Sequence, residues 1–223
     1  MTERLMPQEP SSTPDLFEII RTTRSMRRLK LDPVPNELIR EILEAGVCAP
    51  SGGNMQRWRF LVIRDASIKQ TVGAYYKRAW DEQVSPRYRA GEPAPGMDRD
   101  RFLRLLDAAE YLAAHIHEAP VWIVPCLEGG TPTRTSGSSI YPAVQNMLLA
   151  ARTLGLGATL TTLYLNFEKE VEAALGSAAS LSPMSSTKTG GASLTAIDRH
   201  GQPATAPASG HDREKQSGRR DSR

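Results

Sequence analysis

The sequence predicts an α+β domain over residues 15–176, and three observations carry that reading. Segments with apolar residues at helical spacing are interleaved with short apolar runs of strand length. The chain has 223 residues, enough for one domain with a substantial core. After Gly176 the composition changes, and residues 177–223 contain no Phe, Trp or Tyr.

Residues 1–14 are polar and dotted with proline, lack the apolar stretch of a signal peptide, and are expected to form a flexible N-terminus. Asp15 to Thr22 reads as a first helix with Leu16, Ile19 and Ile20 on one face and Asp15 as its cap. Asp32-Pro33-Val34-Pro35 is a rigid extended connection, since each proline pushes its predecessor out of the helical region. Asn36 suits the N-cap of a helix over Glu37 to Ala45, with Leu38, Ile39, Ile42 and Leu43 on its apolar face. Phe60 to Ile63 is a short strand, and Ile68 to Trp80 is helical by spacing. Asp81 to Asp100, with Pro86, Gly91, Pro93, Pro95 and Gly96, is expected to be a long irregular loop.

Arg101 to Glu118 has a helical pattern through Phe102, Leu105, Leu106, Ala109, Leu112, Ala113 and Ile116. Val121 to Leu127 is a buried strand, and Glu128 to Ser139 a flexible connection. Pro142 to Leu154 is apolar on most sides and should be a central helix, ended by Gly155 and Gly157. A threonine-rich strand over Ala158 to Leu163 follows, then a short helix over Phe167 to Leu175 capped by Asn166.

The formal charge is +3 and the isoelectric point about 9.0. Seven of the 28 Lys and Arg, but only four of the 25 Asp and Glu, lie after Gly176, which leaves 21 of each sign before it. The excess sits in the tail, so the charge gives no support to a nucleic-acid partner. No apolar run is long enough to span a bilayer, so no membrane partner is expected and the cytoplasm is the default location. Cys48 and Cys126 sit among apolar neighbours and read as small buried hydrophobes. His115 and His117, two apart on a helix, point in different directions and cannot share a metal ion, so no metal site is expected.

Two stretches carry chemistry. Thr23-Arg24-Ser25-Met26-Arg27-Arg28 places three guanidiniums and a hydroxyl within five residues, a set suited to phosphate oxygens. Ala49-Pro50-Ser51-Gly52-Gly53-Asn54 cannot continue a helix and offers amides and an asparagine to a flat polar ligand. Alone, the first is more often a solvated face and the second an ordinary connection. Together, about 25 residues apart, they are far more specific.

With Asp32-Pro33-Val34-Pro35, Gln56, Trp58, the helix Pro142 to Arg152 and the segment Leu154 to Thr162, these stretches resemble the nitroreductase family of FMN-dependent flavoproteins, over roughly Asp15 to Gly176. The family includes nitroreductases, flavin reductases and iodotyrosine deiodinase. The resemblance implies a three-layer fold, a central, mostly antiparallel sheet flanked by helices, and a homodimer with FMN at the subunit interface. It implies that Arg24, Ser25 and Arg27 hold the phosphate and ribityl chain, and that Pro50, Ser51, Gly52 and Asn54 line the ring. Leu160, Thr161 and Thr162 would face its reactive edge. NADH or NADPH would supply electrons, and a nitroaromatic, quinone or related small molecule would accept them. No residue stands out as a general acid or base. Trp80, Tyr88 and Met97 are candidates to cover the substrate side. Where the family has a proline after the position of Gln56, this chain has Arg57.

The resemblance stops at Gly176. The family continues with a core strand, a phosphate-binding arginine and an arm that wraps the partner subunit. Instead, residues 177–223 are rich in Ser, Thr, Gly, Ala and Pro, and are expected to be disordered. Suitable codons for Pro183 through Thr195, read two nucleotides later, can spell an acidic-aromatic ending like that of some family members. A frame-shifted and shortened ending follows as an expectation, with the last strand missing from the sheet. The alternatives to an NAD(P)H-dependent reductase are reductive dehalogenation by the same cofactor, or a truncated, cofactor-poor and inactive variant.

Overall fold

A four-stranded sheet with the order β1-β2-β4-β3 forms the middle layer. The computed structural model describes residues 15–91, 93, 95–128, 135–179 and 194–199. The expected flexible N-terminus, residues 1–14, lies outside them. The strands are β1 (Trp58–Ile63), β2 (Val121–Leu127), β3 (Leu156–Thr161) and β4 (Leu194–Arg199), and every pairing is antiparallel.

β2 shows why the molecule has three layers. Six of its residues, Val121 to Cys126, are buried, which requires cover on both faces. Val121 and Ile123 join a core with Ile39, Ile42, Val144, Met147 and Leu156, under α2 (Asn36–Val47) and α6 (Ser136–Thr153). Trp122, Val124 and Cys126 point the other way, into a core with Val72, Tyr76, Leu112 and Val171. That second face is covered by α3 (Ala66–Ala79), α5 (Arg99–His115) and α7 (Glu168–Ala179). Full burial of each large aliphatic side chain contributes roughly 1.5–3 kcal/mol, so both faces matter to stability. Trp122 satisfies its indole by donating Nε1–H to the Ile116 carbonyl at 3.1 Å.

The helix termini follow local chemistry. Asp15 caps α1 (Leu16–Thr22) by accepting from the Phe17 amide, as the sequence predicts. Asp65 caps α3 and Asp98 caps α5. Gly155 takes φ +73 just past α6, the left-handed position that glycine fills without strain. Where α2 crosses α6, a Cβ on Gly46 would stand 2.9 Å from the Met147 Cγ, so glycine sets the approach of the two helices. Asn146 adds a bond from its Nδ2 to the Ala45 carbonyl at 3.1 Å.

Several expectations are corrected. The sheet does not lack a strand: β4, in the segment expected to be disordered, pairs with β2 over Val121–Ile123 and with β3 along its full length. β2 and β3 are not neighbours, and their facing backbone groups would be left orphaned inside the sheet without it. A backbone ladder requires no aromatic residues, which is why composition misjudged this stretch. α7 also runs past Gly176 to Ala179. The remainder of residues 177–223 lies outside the described residues.

The Asp81–Asp100 stretch is largely helical, with a π-helical turn Trp80–Val84 leading into α4 (Ser85–Ala90) and α5 starting at Arg99. Pro86 sits in the first turn of α4, directly after the π-helical turn. Asn36 is inside α2 and not its cap; its Oδ1 accepts from the Arg64 guanidinium at 2.9 Å. α6 begins at Ser136, so Pro142 lies within it. Asn166 belongs to the 3₁₀ turn Leu163–Phe167 and donates to the Leu163 carbonyl. Cys126 is buried but Cys48 is exposed. Among the described residues, no helix is long and apolar enough to cross a membrane.

Candidate active site

The arginine stretch leaves α1 at Thr23, whose backbone is extended, and meets β3 at Met26. The Met26 amide donates to the Ala158 carbonyl at 3.0 Å, which fixes the segment against the strand. Arg27 is thereby held half-buried beside the end of β3, while Arg24 and Ser25 are exposed. Arg28 is directed elsewhere: it pairs with Asp107 at 2.7 Å and lies over the Tyr111 ring. Among the described residues neither Arg24 nor Arg27 pairs with a carboxylate.

Arg27 lines a cavity of about 250 Å³ together with Thr159, Leu160, Thr161 and Thr162. The opposite wall comes from α3 to α5 and includes Tyr76, Trp80, Tyr88 and Leu112. The chain therefore brings together two sequence-predicted groups, Arg27 and the Leu160–Thr162 segment. Trp80 and Tyr88 reach the same cavity through the π turn and α4, whereas Met97 is absent from its lining.

The Tyr76 hydroxyl lies 2.9 Å from the Thr161 hydroxyl, and either can donate. Burial pushes the Tyr76 phenol above its ordinary pKa, opposed by the Thr161 bond and by the Arg27 charge. It stays neutral and able to donate at physiological pH. Tyr76 was not legible as a site residue, because Val72, Tyr76 and Ala79 form an ordinary buried helix stripe.

The loop Pro50–Asn54 stands apart from this cavity and does not line it. It is pinned to the start of α6, with the Gly52 amide donating to the Ser139 hydroxyl at 3.0 Å. The Ser51 hydroxyl accepts from the Gln56 amide at 3.0 Å, and the Gln56 side chain donates to the Asn54 Oδ1 at 2.9 Å. Gly53, Asn54 and Gln56 all take positive φ, at 58°, 53° and 47°. Two non-glycine residues held in that region store strain, which marks a shape imposed by the surrounding bonds. Pro50, Gly52 and Asn54 are exposed and Ser51 half-buried, while the Gly52 and Asn54 N–H groups and the Asn54 Oδ1 are already engaged, by Ser139, Ser51 and Gln56.

The histidines make no joint site. His115 Nδ1 lies 2.8 Å from the Tyr111 carbonyl and its ring stacks on Tyr111. The His117 Cβ packs where a side chain on Gly73 would stand.

Comparisons with known proteins identify the family and the fold. A model of the Nitroreductase family matches residues 20–185. A protein of Methanothermobacter thermautotrophicus, whose name joins NADH dehydrogenase to NAD(P)H nitroreductase, is 30% identical over 153 residues. That match covers 67% of this chain and 62% of the relative, so the chain spans less than two thirds of that protein's length. An iodotyrosine deiodinase of Thermotoga neapolitana is 28% identical, with 64% of this chain and 70% of the relative covered. Among solved structures, a nitroreductase with bound FMN from Bacteroides fragilis superposes with a TM-score of 0.59 at 21% identity, covering 88% of this chain and 97% of that one.

Proposed function

Because the chain belongs to the nitroreductase family, we propose that it is an FMN-dependent oxidoreductase taking electrons from NADH or NADPH and passing them to a small acceptor such as a nitroaromatic or a quinone. The observation that carries this reading is Arg27. Arg27 is half-buried at a cavity wall, pairs with no carboxylate among the described residues, and stands three residues from Arg24, which likewise pairs with none among them. Two guanidiniums that no described carboxylate engages suit a phosphate, which binds such forks by charge-assisted bonds. The rest of the lining fits the same ligand, with apolar walls for a flat ring and the Thr161 and Thr162 hydroxyls for its polar edge.

The cavity alone is smaller than a whole FMN, so part of the cofactor needs another surface. We assign that surface to Pro50, Ser51, Gly52 and Asn54, supplied by the second subunit of a homodimer. An apolar groove lined by Leu16, Ile19, Ala45, Cys48 and Leu149, next to exposed Phe17 and Ile20, supports such a pairing. Bound there, FMN supplies the electron transfer between donor and acceptor. Arg24, Ser25 and Arg27 bind its phosphate and ribityl chain. The strained loop orients the ring, Tyr76 positions the Thr161 hydroxyl, and the apolar wall excludes water. No general acid or base is assigned, and the protein is placed in the cytoplasm.

The test is the purified chain itself. It should be yellow, release FMN by mass, and oxidise NADH or NADPH when 1,4-benzoquinone or a nitroaromatic is added. A colourless preparation, or one releasing FAD, would overturn the reading. The deiodinase relative favours a second reading, reductive dehalogenation, which release of iodide from 3-iodotyrosine would support.

A further inference from the structure

Strand alternation gives Thr159 its direction. Along β3, Leu156 and Ala158 belong to the core under α2 and α6, and Leu160 packs against it. Thr159 and Thr161 therefore point to the opposite face, toward α3 and α5, where Thr161 meets the Tyr76 hydroxyl. Thr159 is 2% exposed, and it lines the cavity beside Arg27 and Thr161. Its hydroxyl makes no hydrogen bond among the described residues. The side-chain groups among them that are both unpaired and sealed from solvent are the Trp80 indole nitrogen and the Tyr164 hydroxyl. The Thr159 oxygen is not sealed, so it keeps its contact with the cavity.

Buried hydroxyls ordinarily have a partner, because losing water without one costs free energy. Other polar groups of the lining are engaged or peripheral: the Tyr76 and Thr161 hydroxyls bond each other, and Thr162 is exposed. Arg24 and Ser25 are exposed as well, which puts the phosphate at the outer end of the site and the ring at the inner end. Thr159 stands at that inner end, one alternation of the strand before Thr161.

We propose that Thr159 is a cofactor-binding residue whose hydroxyl hydrogen-bonds the polar edge of the isoalloxazine ring inside the cavity. The inference rests on the flavoenzyme reading, since it takes the ring as the cavity's occupant. A threonine hydroxyl both donates and accepts, which suits an edge carrying carbonyls, ring nitrogens and an N–H. Trp80, Leu105, Ala109 and Leu112 keep the surroundings apolar, so the bond forms at low dielectric and is stronger than one at the surface.

Thr159→Val removes the hydroxyl and keeps the β-branched shape that the strand holds. FMN and riboflavin share the ring and differ in the phosphate, and both can be titrated by fluorescence into the full-length chain stripped of cofactor. The variant should bind both flavins roughly tenfold more weakly, the effect of one buried hydrogen bond left unmade. Thr159→Ser restores the hydroxyl and should stay within about threefold of wild type for both. Arg24→Ala supplies the contrast, weakening FMN and leaving riboflavin near its wild-type affinity. Without ligand, Thr159→Val should melt at or above the wild-type temperature, since it deletes an unpaired hydroxyl.

Unchanged flavin affinity in Thr159→Val would overturn the inference and leave the flavoenzyme reading standing. Weakening of FMN alone would put the hydroxyl at the phosphate and overturn it equally. A lower melting temperature of the ligand-free variant would mean that the hydroxyl is bonded within the protein, with the same consequence. If the wild-type chain binds neither flavin, the flavoenzyme reading falls and takes this inference with it.

Discussion

The Tyr76 and Thr161 hydroxyls meet at 2.9 Å across 85 residues of sequence, and they tie α3 to the end of β3 beneath the cavity. Tyr76→Phe removes the bond and leaves the Thr161 oxygen with a long contact to the Leu163 amide at 3.5 Å. The loss should be about 1 kcal/mol in urea unfolding. Thr161→Val should cost a similar amount, and the double variant less than the sum of the two. Strict additivity would show that the pair does not act as one interaction.

Arg24→Ala should weaken FMN retention while leaving the melting temperature of the cofactor-free protein unchanged, since Arg24 is exposed and forms no ion pair among the described residues. One charge-assisted bond is worth roughly 1.5–3 kcal/mol, or about ten- to a hundredfold in affinity. Fluorescence titration of the stripped protein with FMN reads this directly. An unaltered dissociation constant would place the phosphate elsewhere.

Asp65 gives the chain an acid-side dependence. Its carboxylate accepts from the Ser67 hydroxyl and from the Ile68 and Ser67 amides, and these bonds hold its pKa below the usual 3.8. Because the folded pKa is depressed, the unfolded chain takes up the proton first. The stabilisation is complete above the ordinary carboxylate pKa and is lost as the pH falls through the folded value. Asp65→Asn removes that titrating charge. The stability difference between wild type and variant, followed by urea unfolding from pH 7 to 3, should shrink below about pH 4. A difference independent of pH would assign the cap no electrostatic share.

Proline at Ile197 tests the central position of β4. The backbone of Ile197 pairs with Val121 on one side and Ala158 on the other, and proline is tolerated only at edges or bulges of a sheet. Losing one ladder bond and orphaning its acceptor should cost about 1–3 kcal/mol. Hydrogen exchange at Val121, Ile123 and Ala158 should accelerate. Protection equal to wild type would mean that the strand contributes little to the sheet in solution.

Local rules and tertiary rules part company at identifiable residues. Asp15 acts as the cap the sequence predicts, since an N-cap bond spans only two residues. Asn36, an equally good cap by type, is inside α2, because Arg64, 28 residues away, engages its oxygen. Cys48 sits in an apolar stretch yet is exposed, since it falls just past the end of α2. Trp80 and Tyr88 were expected to cover the substrate side, and they do line the cavity, but by way of a helical turn where a loop was expected.

The sequence by itself determined the two strands with apolar runs, a threonine-rich third within two residues of its observed bounds, the helices with periodic faces, and the family, through the spacing of the arginine and Pro-Ser-Gly-Gly-Asn stretches. These depend on side-chain pattern and short-range bonds, which are written in consecutive residues. Only the tertiary structure decided that Arg27 and Thr161 share one cavity, that Tyr76 joins them, and that the Pro50–Asn54 loop stands apart. It also decided the place of β4. A strand inserted between two others is selected by the unpaired backbone groups on both sides, and every residue carries those groups alike.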